Sequence, residues 1–261
     1  MAARDSALPT RLRGWLGLTR SLTIYWRPGR QRALRELYGE FLAPGDLAFD
    51  IGAHLGDRSA AFAALGARVV ALEPHPQLFR WLTRLVGHHV GITLLPQAAG
   101  AECGQAELAV SHATPTVSTL ASDWWQHIGQ YNAGFREVCW ETRLQVPVTT
   151  LDTLIAAHGR PTFCKIDVEG FEAQVLAGLS QPLSAVSVEF VTGALDVARD
   201  CVDRLMVLGE YEFNAIAGER RTFLWPRWQS AVAIHAWLRN GVDGLASGDL
   251  YARLISRENA S

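Results

Sequence analysis

The chain has 261 residues, a formal charge of −2, and 49% hydrophobic against 19% charged side chains. That balance predicts one folded α/β domain with short additions, and it excludes a disordered chain. Without a basic excess, nucleic acid is not expected as a partner. The 24 basic residues are 23 arginines and one lysine, Lys165, which follows Cys164 and precedes Ile166. That excludes a G-K-[ST] phosphate loop.

Residues 1–30 carry Arg4, Arg11, Arg13 and Arg20, and the apolar patch Trp15–Leu18 is too short for a signal-peptide core. They read as an N-terminal extension, either a solvated helix or an arm for weak surface association. No apolar run reaches the ~18 residues of a membrane span. The four cysteines lack C-x-x-C spacing, which predicts reduced thiols and a cytoplasmic location.

The main domain is expected over residues 31–240. Leu34, Leu37, Tyr38, Phe41 and Leu42 recur with helical period from Gln31 to Leu42, and Pro44-Gly45 stops that helix. Leu47–Ile51 reads as a buried strand, Asp57–Leu65 as an Ala-rich helix and Arg68–Leu72 as a second strand. A helix starts at Pro76, and Ile92–Leu95 is the third strand. This alternation predicts a parallel sheet with crossover helices. The middle is less regular, with strands over Ala106–Val110 and Gln145–Thr149 around a Ser/Thr stretch, Thr114–Thr119, and an aromatic cluster (Trp124, Trp125, Tyr131, Phe135, Trp140). A short helix capped by Asp152, a strand over Thr162–Asp167, a helix carrying Val175 and Leu176, a strand over Ala185–Phe190 and a helix over Ala194–Leu208 follow. Tyr211–Ile216 and Arg221–Trp225 read as a closing hairpin. Residues 241–261 read as a tail, loose over Gly241–Gly248.

The chemistry-bearing residues fall at strand ends. Asp50-Ile-Gly-Ala-His-Leu-Gly56 lies where the first strand meets the first helix, and Glu73 follows the second strand. A glycine turn lets backbone approach a ligand, and a carboxylate after the second strand suits two ribose hydroxyls. His54 occupies the middle position of what would be G-x-G-x-x-G, and the acidic Asp50 suits a cationic amine better than a pyrophosphate. Period-2 alternation puts Lys165, Asp167 and Glu169 on one side at the end of the fourth core strand. Asp167 is the first candidate for a general base, with Glu169 the second. Lys165 reads either as a proton-transfer group or as an ion-pair partner of Asp167 or Glu189, and Glu169 either as a base or as a helix cap. No His/carboxylate set demands a metal.

Asp50-Ile-Gly-Ala-His-Leu-Gly56, Leu-Glu-Pro74, Thr150-Leu-Asp152 and Lys165-Ile-Asp-Val-Glu-Gly-Phe-Glu172 with Val175-Leu-Ala-Gly178 together resemble the FkbM family of S-adenosylmethionine-dependent methyltransferases. The resemblance spans about residues 31–225, with His54 standing where Asn is usual. It implies a Rossmann-like class I fold: a mostly parallel seven-stranded sheet, helices on both faces and a C-terminal antiparallel hairpin. It implies that Asp50, Gly52, His54 and Gly56 border the methionine portion of S-adenosyl-L-methionine. Glu73 would bind ribose, Pro74 would border adenine, and Gln97 and Ala98 would meet the adenine edge. O-methylation of a hydroxyl on a small molecule, sugar, glycan or lipid is the expected reaction. An NAD(P)-binding oxidoreductase and a non-catalytic nucleoside-binding module are the alternatives, and a homo-oligomer stays open.

Overall fold

The structure is a computed structural model that describes residues 26, 29–121 and 124–255. Most of the expected N-terminal arm therefore lies outside the described residues. The first half runs α1 (Arg30–Tyr38), β1 (Leu47–Ile51), α2 (Asp57–Ala64), β2 (Arg68–Leu72), α3 (Pro76–Val86) and β3 (Ile92–Leu95). A short β4 (Ala98–Ala99), β5 (Gly104–Val110), α4 (Trp124–Tyr131) and β6 (Thr142–Thr149) make up the middle. The second half runs α5 (Leu151–His158), β7 (Phe163–Ile166), α6 (Glu172–Ala177), β8 (Ala185–Val191), α7 (Leu195–Leu208), β9 (Tyr211–Ala217), α8 (Ala231–Arg239) and β10 (Ser247–Leu254).

The seven-stranded sheet has the order β3-β2-β1-β7-β8-β10-β9. Pairs β1–β2, β2–β3, β1–β7 and β7–β8 are parallel, and β10 is antiparallel to both its neighbours. The strand order reverses between β1 and β7, and open α/β sheets bind ligands at the carboxyl ends of the strands beside such a reversal.

Alternation along β1 assigns the two faces. Leu47, Phe49 and Ile51 pack with α5, α6, α7 and α8 on one side, while Ala48 packs with α1, α2 and α3 on the other. Phe163 belongs to the second face and Cys164 and Ile166 to the first. Lys165 therefore shares the α1–α3 face with Asp50, its register partner on β1. A second, three-stranded sheet, β4-β6-β5, stands beside the main one and carries its own small core of Ala98, Leu108, Val110 and Val146.

Two sequence expectations need correction. Residues 221–225 form no strand. One backbone bond, Leu224 N–H to Ala215 O at 2.8 Å, lays this segment along β9. The antiparallel partner of β9 is β10, drawn from the supposed tail and inserted between β8 and β9. Residues 247–254 are thus sheet, with Leu250, Tyr251 and Ala252 fully buried. Among the described residues no helix is long and apolar enough to cross a membrane.

Candidate active site

A cavity opens at the carboxyl ends of β1, β2 and β7, the edge at which open α/β sheets bind ligands. Gly52, His54, Glu73, Pro74, Gln97 and Ala98 line it, as do Lys165, Asp167 and Glu169. Asp50 and Gly56 do not. Asp50 is fully buried beneath the loop and accepts a 2.5 Å hydrogen bond from Ser59 Oγ.

The glycines have a different reason from the one expected. Gly52 has φ +81°, and a Cβ there would lie 1.9 Å from the Asp167 carbonyl oxygen. It is the close approach of the β1 and β7 ends that forbids a side chain. Gly56 (φ +78°) would put a Cβ 2.6 Å from Leu82 Cδ1, so it lets α2 close onto α3.

Glu73 is held by the turns on either side of it. Its Oε2 accepts the His54 N–H at 2.9 Å and its Oε1 accepts the His75 N–H at 2.8 Å. Burial raises its pKa to about 7 despite these donors. His75 caps α3 through Nδ1, which accepts the N–H groups of Gln77 and Leu78. Burial lowers His54 to about 4, so its ring is neutral near pH 7.

Lys165 is 1% exposed, and its Nζ lies 2.6 Å from Asp167 Oδ2. Of the two ion-pair partners weighed for it, Asp167 is the one in contact. Burial is the largest single effect on both groups and opposes their ionisation, but the opposite charges around each together outweigh it, with the partner first among them. Lys165 is raised, and Asp167, helped by Arg58, is lowered. Glu169 has left-handed backbone (φ 56°), and Thr119 Oγ1 donates to its carbonyl at 2.7 Å. Its Oε2 is buried without a partner. Burial, then repulsion from Asp167 and Glu172, raises its pKa well above the ordinary range. Glu169 does not cap α6. Glu172 Oε1 accepts the Val168 and Gly170 N–H groups instead, at 3.0 and 3.3 Å. Likewise Thr150, not Asp152, caps α5, and Asp152 accepts the Ser180 N–H at 2.9 Å.

A second, strongly polar chamber of about 440 Å³ adjoins the first. Arg58, Asp167 and Glu169 line both, so the Lys165–Asp167 pair stands where they meet. Glu189, Glu219 and Asp249 line only the second. Sequence reading missed Arg58, Glu219 and Asp249 as site residues and considered Glu189 only as an ion-pair partner. The alternation along β8 could have flagged Glu189. The Ser/Thr stretch does reach the first cavity through Thr116, Ser118 and Thr119. Tyr131, Phe135 and Trp140 line neither cavity. Phe135 and Trp140 pack on Ile128, Val191 and Ala194, and Tyr131 is 66% exposed. Nothing is described of the Trp124 and Trp125 side chains.

Numbered along the chain, the strands of the large sheet lie in the order 3-2-1-4-5-7-6, the Rossmann-like class I methyltransferase arrangement. Such enzymes take their methyl group from S-adenosyl-L-methionine. The chain belongs to the FkbM methyltransferase family, since the family model described as methyltransferase FkbM domain matches residues 50–240. The nicotinamide alternative falls with that match.

The chain is 27% identical over 188 residues to hexuronic acid methyltransferase AglP of Haloferax volcanii, covering 71% of this chain and 70% of that one. Among solved structures it resembles a TehB-like S-adenosylmethionine-dependent methyltransferase from Corynebacterium glutamicum. That match has TM-score 0.50 and 10% identity, and covers 95% of this chain and 100% of the other. A precorrin-6y C5,15-methyltransferase from Geobacter metallireducens matches at TM-score 0.45 and 14% identity, over 87% of each chain. Of the two, the TehB-like match bears on the fold, and on the fold alone.

The first cavity fits the methyl donor. Glu73 is a 5%-exposed carboxylate on its wall, and burial holds its pKa near 7. Hydroxyl donors there would relieve the burial that its two backbone donors do not fully offset.

Proposed function

We propose that this chain transfers the methyl group of S-adenosylmethionine to a hydroxyl oxygen of a sugar-like acceptor. The observation that carries the reading is the meeting of the two cavities at one ion pair. The donor side holds Gly52, Glu73, Gln97 and Ala98, the other side is polar, and Asp167 borders both. The AglP likeness supports a sugar-like acceptor.

Glu73 would hold the ribose hydroxyls, Gln97 and Ala98 the adenine edge, and His54 the methionine end as a neutral ring. When bound, S-adenosylmethionine supplies a methyl carbon on a cationic sulfur, and the breaking carbon–sulfur bond returns its electron pair to sulfur. Asp167 would orient the acceptor hydroxyl and take its proton as the oxygen bonds to that carbon. Lys165 keeps its proton and acts as a positioning residue, fixing one Asp167 oxygen and leaving the other for the acceptor. Glu169, the second candidate, would first have to give up a proton that burial and its acidic neighbours favour. Most of the rate comes from alignment of the reacting atoms.

The test is transfer of labelled methyl to hydroxylated acceptors, with S-adenosylhomocysteine binding measured by calorimetry. Asp167→Asn should lose turnover and keep S-adenosylhomocysteine affinity. Glu73→Ala should weaken that affinity by about 1–3 kcal/mol, the scale of lost charged hydrogen bonds. Full turnover in Asp167→Asn removes it as the base, and unchanged affinity in Glu73→Ala removes the ribose assignment.

A further inference from the structure

The polar chamber has a composition that the donor site does not explain. Asp249 on β10 and Glu189 on β8 stand directly opposite in the antiparallel register, where like charges destabilise a sheet. Asp167 follows Ile166, the register partner of Val188, so the three carboxylates form a row across neighbouring strand ends. Asp249 is 9% exposed, and among the described residues no hydrogen bond or ion pair reaches its carboxylate. Glu189 Oε2 and Glu169 Oε2 are buried and equally without partners. The guanidinium at this wall, Arg58, is engaged by Asp57 at 3.4 Å and Glu219 at 3.8 Å. A row of unsatisfied polar atoms around a cavity wants hydrogen-bonding partners.

We infer that this chamber binds the acceptor, and that Glu169, Glu189 and Asp249 select an uncharged, polyhydroxylated ring over one bearing a carboxylate. The inference rests on the methyl-transfer reading. A sugar hydroxyl both donates and accepts, so it satisfies these buried oxygens whether or not the carboxyl holds a proton. An acceptor carboxylate only accepts, and it would add an anion beside Asp167, which Lys165 and Arg58 keep ionised. The reaction points the same way. A carboxylate oxygen is already anionic and needs no base to be methylated, whereas a hydroxyl must give its proton to a group such as Asp167. In this respect the chain departs from what the name of AglP says of that protein.

The experiment offers the full chain labelled S-adenosylmethionine and matched pairs of methyl glycosides, glucose with glucuronate and galactose with galacturonate. The kcat/KM of each is read, with and without a chelator. The neutral member of at least one pair should lead its uronate by tenfold or more. Asp249→Asn and Glu189→Gln, each shown folded by thermal melting, should narrow that ratio by several-fold. A uronate that outruns its neutral partner overturns the inference, and so does transfer to none of the neutral rings. Asp167, Glu169 and Glu189 carry oxygens within 4.8 Å of one another, a spacing open to a divalent cation. Activity lost to the chelator and restored by magnesium or manganese would therefore also overturn it. If S-adenosylhomocysteine does not bind at all, the methyl-transfer reading fails instead.

Discussion

At the scale of single residues, Lys165 shows why the chain departs from arginine once. The site is 1% exposed and sits between Asp50 across the register and Asp167 at 2.6 Å. An ammonium is a compact point charge, while a guanidinium is a planar fork that needs more room and more acceptors. Lys165→Arg should therefore lower stability by about 1–3 kcal/mol, the usual cost of overpacking a core, and should displace Asp167 enough to reduce turnover. Thermal melting and labelled-methyl transfer check both. A variant equal to the parent in both would show that only the charge matters here. The sequence made this pair legible because period-2 alternation along one strand put Lys165 and Asp167 on one side. It could not show that Asp50 would be covered, because burial depends on how α2 lies over the strand. Nor could it show that Gly52 answers to the Asp167 backbone, 115 positions further on in the numbering.

At the scale of elements, the first five strands of the sheet were readable from their apolar runs and turn residues. The C-terminal pair was not. Leu250-Tyr251-Ala252 is a short apolar run, but the glycines at 241, 244 and 248 before it suggest loose chain. Those glycines serve packing and turns. Gly241 and Gly244 adopt φ +85° and +77°, and a Cβ on Gly248 would lie 2.2 Å from Ile216 O. Residues 221–225 misled in the opposite direction. Their Phe223 and Trp225 are not strand residues but ring contacts, to Tyr251 at 5.2 Å and Trp237 at 5.1 Å. Because β10 is the strand partner of β9 and brings Asp249 to the chamber, a chain ended at residue 240 should fail to fold. The full chain should melt cooperatively. Far-ultraviolet circular dichroism on heating distinguishes them. A cooperative transition and S-adenosylhomocysteine binding by the 1–240 fragment would show that β10 is dispensable.

At the scale of the whole molecule, the buried carboxylates set an unusual pH dependence. Burial raises Asp50, Glu73, Glu169, Glu172, Glu189 and Asp249, with Glu73 and Glu172 at about 7. A carboxyl raised in the folded state binds protons more tightly there than in the unfolded chain. Its contribution is complete below the unfolded value and is lost as pH climbs through the folded one. His54 and His75, lowered by burial to about 4, act in the opposite sense, and their contribution is nearly complete by pH 6.5. Asp57, Asp167 and Glu219 are lowered, so their contributions fade only in acid. Between pH 6.5 and 8.5 the raised carboxyls dominate the change, and the raised thiols of Cys164 and Cys201 add to it with the same sign. Stability should fall across this interval by on the order of 1 kcal/mol from Glu73 and Glu172 less the two histidines, and further with the rest. Urea unfolding followed by tryptophan fluorescence at the two pH values measures it. If Glu73 holds the ribose as proposed, saturating S-adenosylhomocysteine should flatten the slope, because hydroxyls donated to its carboxylate would favour the ionised form. A midpoint that rises toward pH 8.5 would show that these carboxylates are already ionised at pH 6.5.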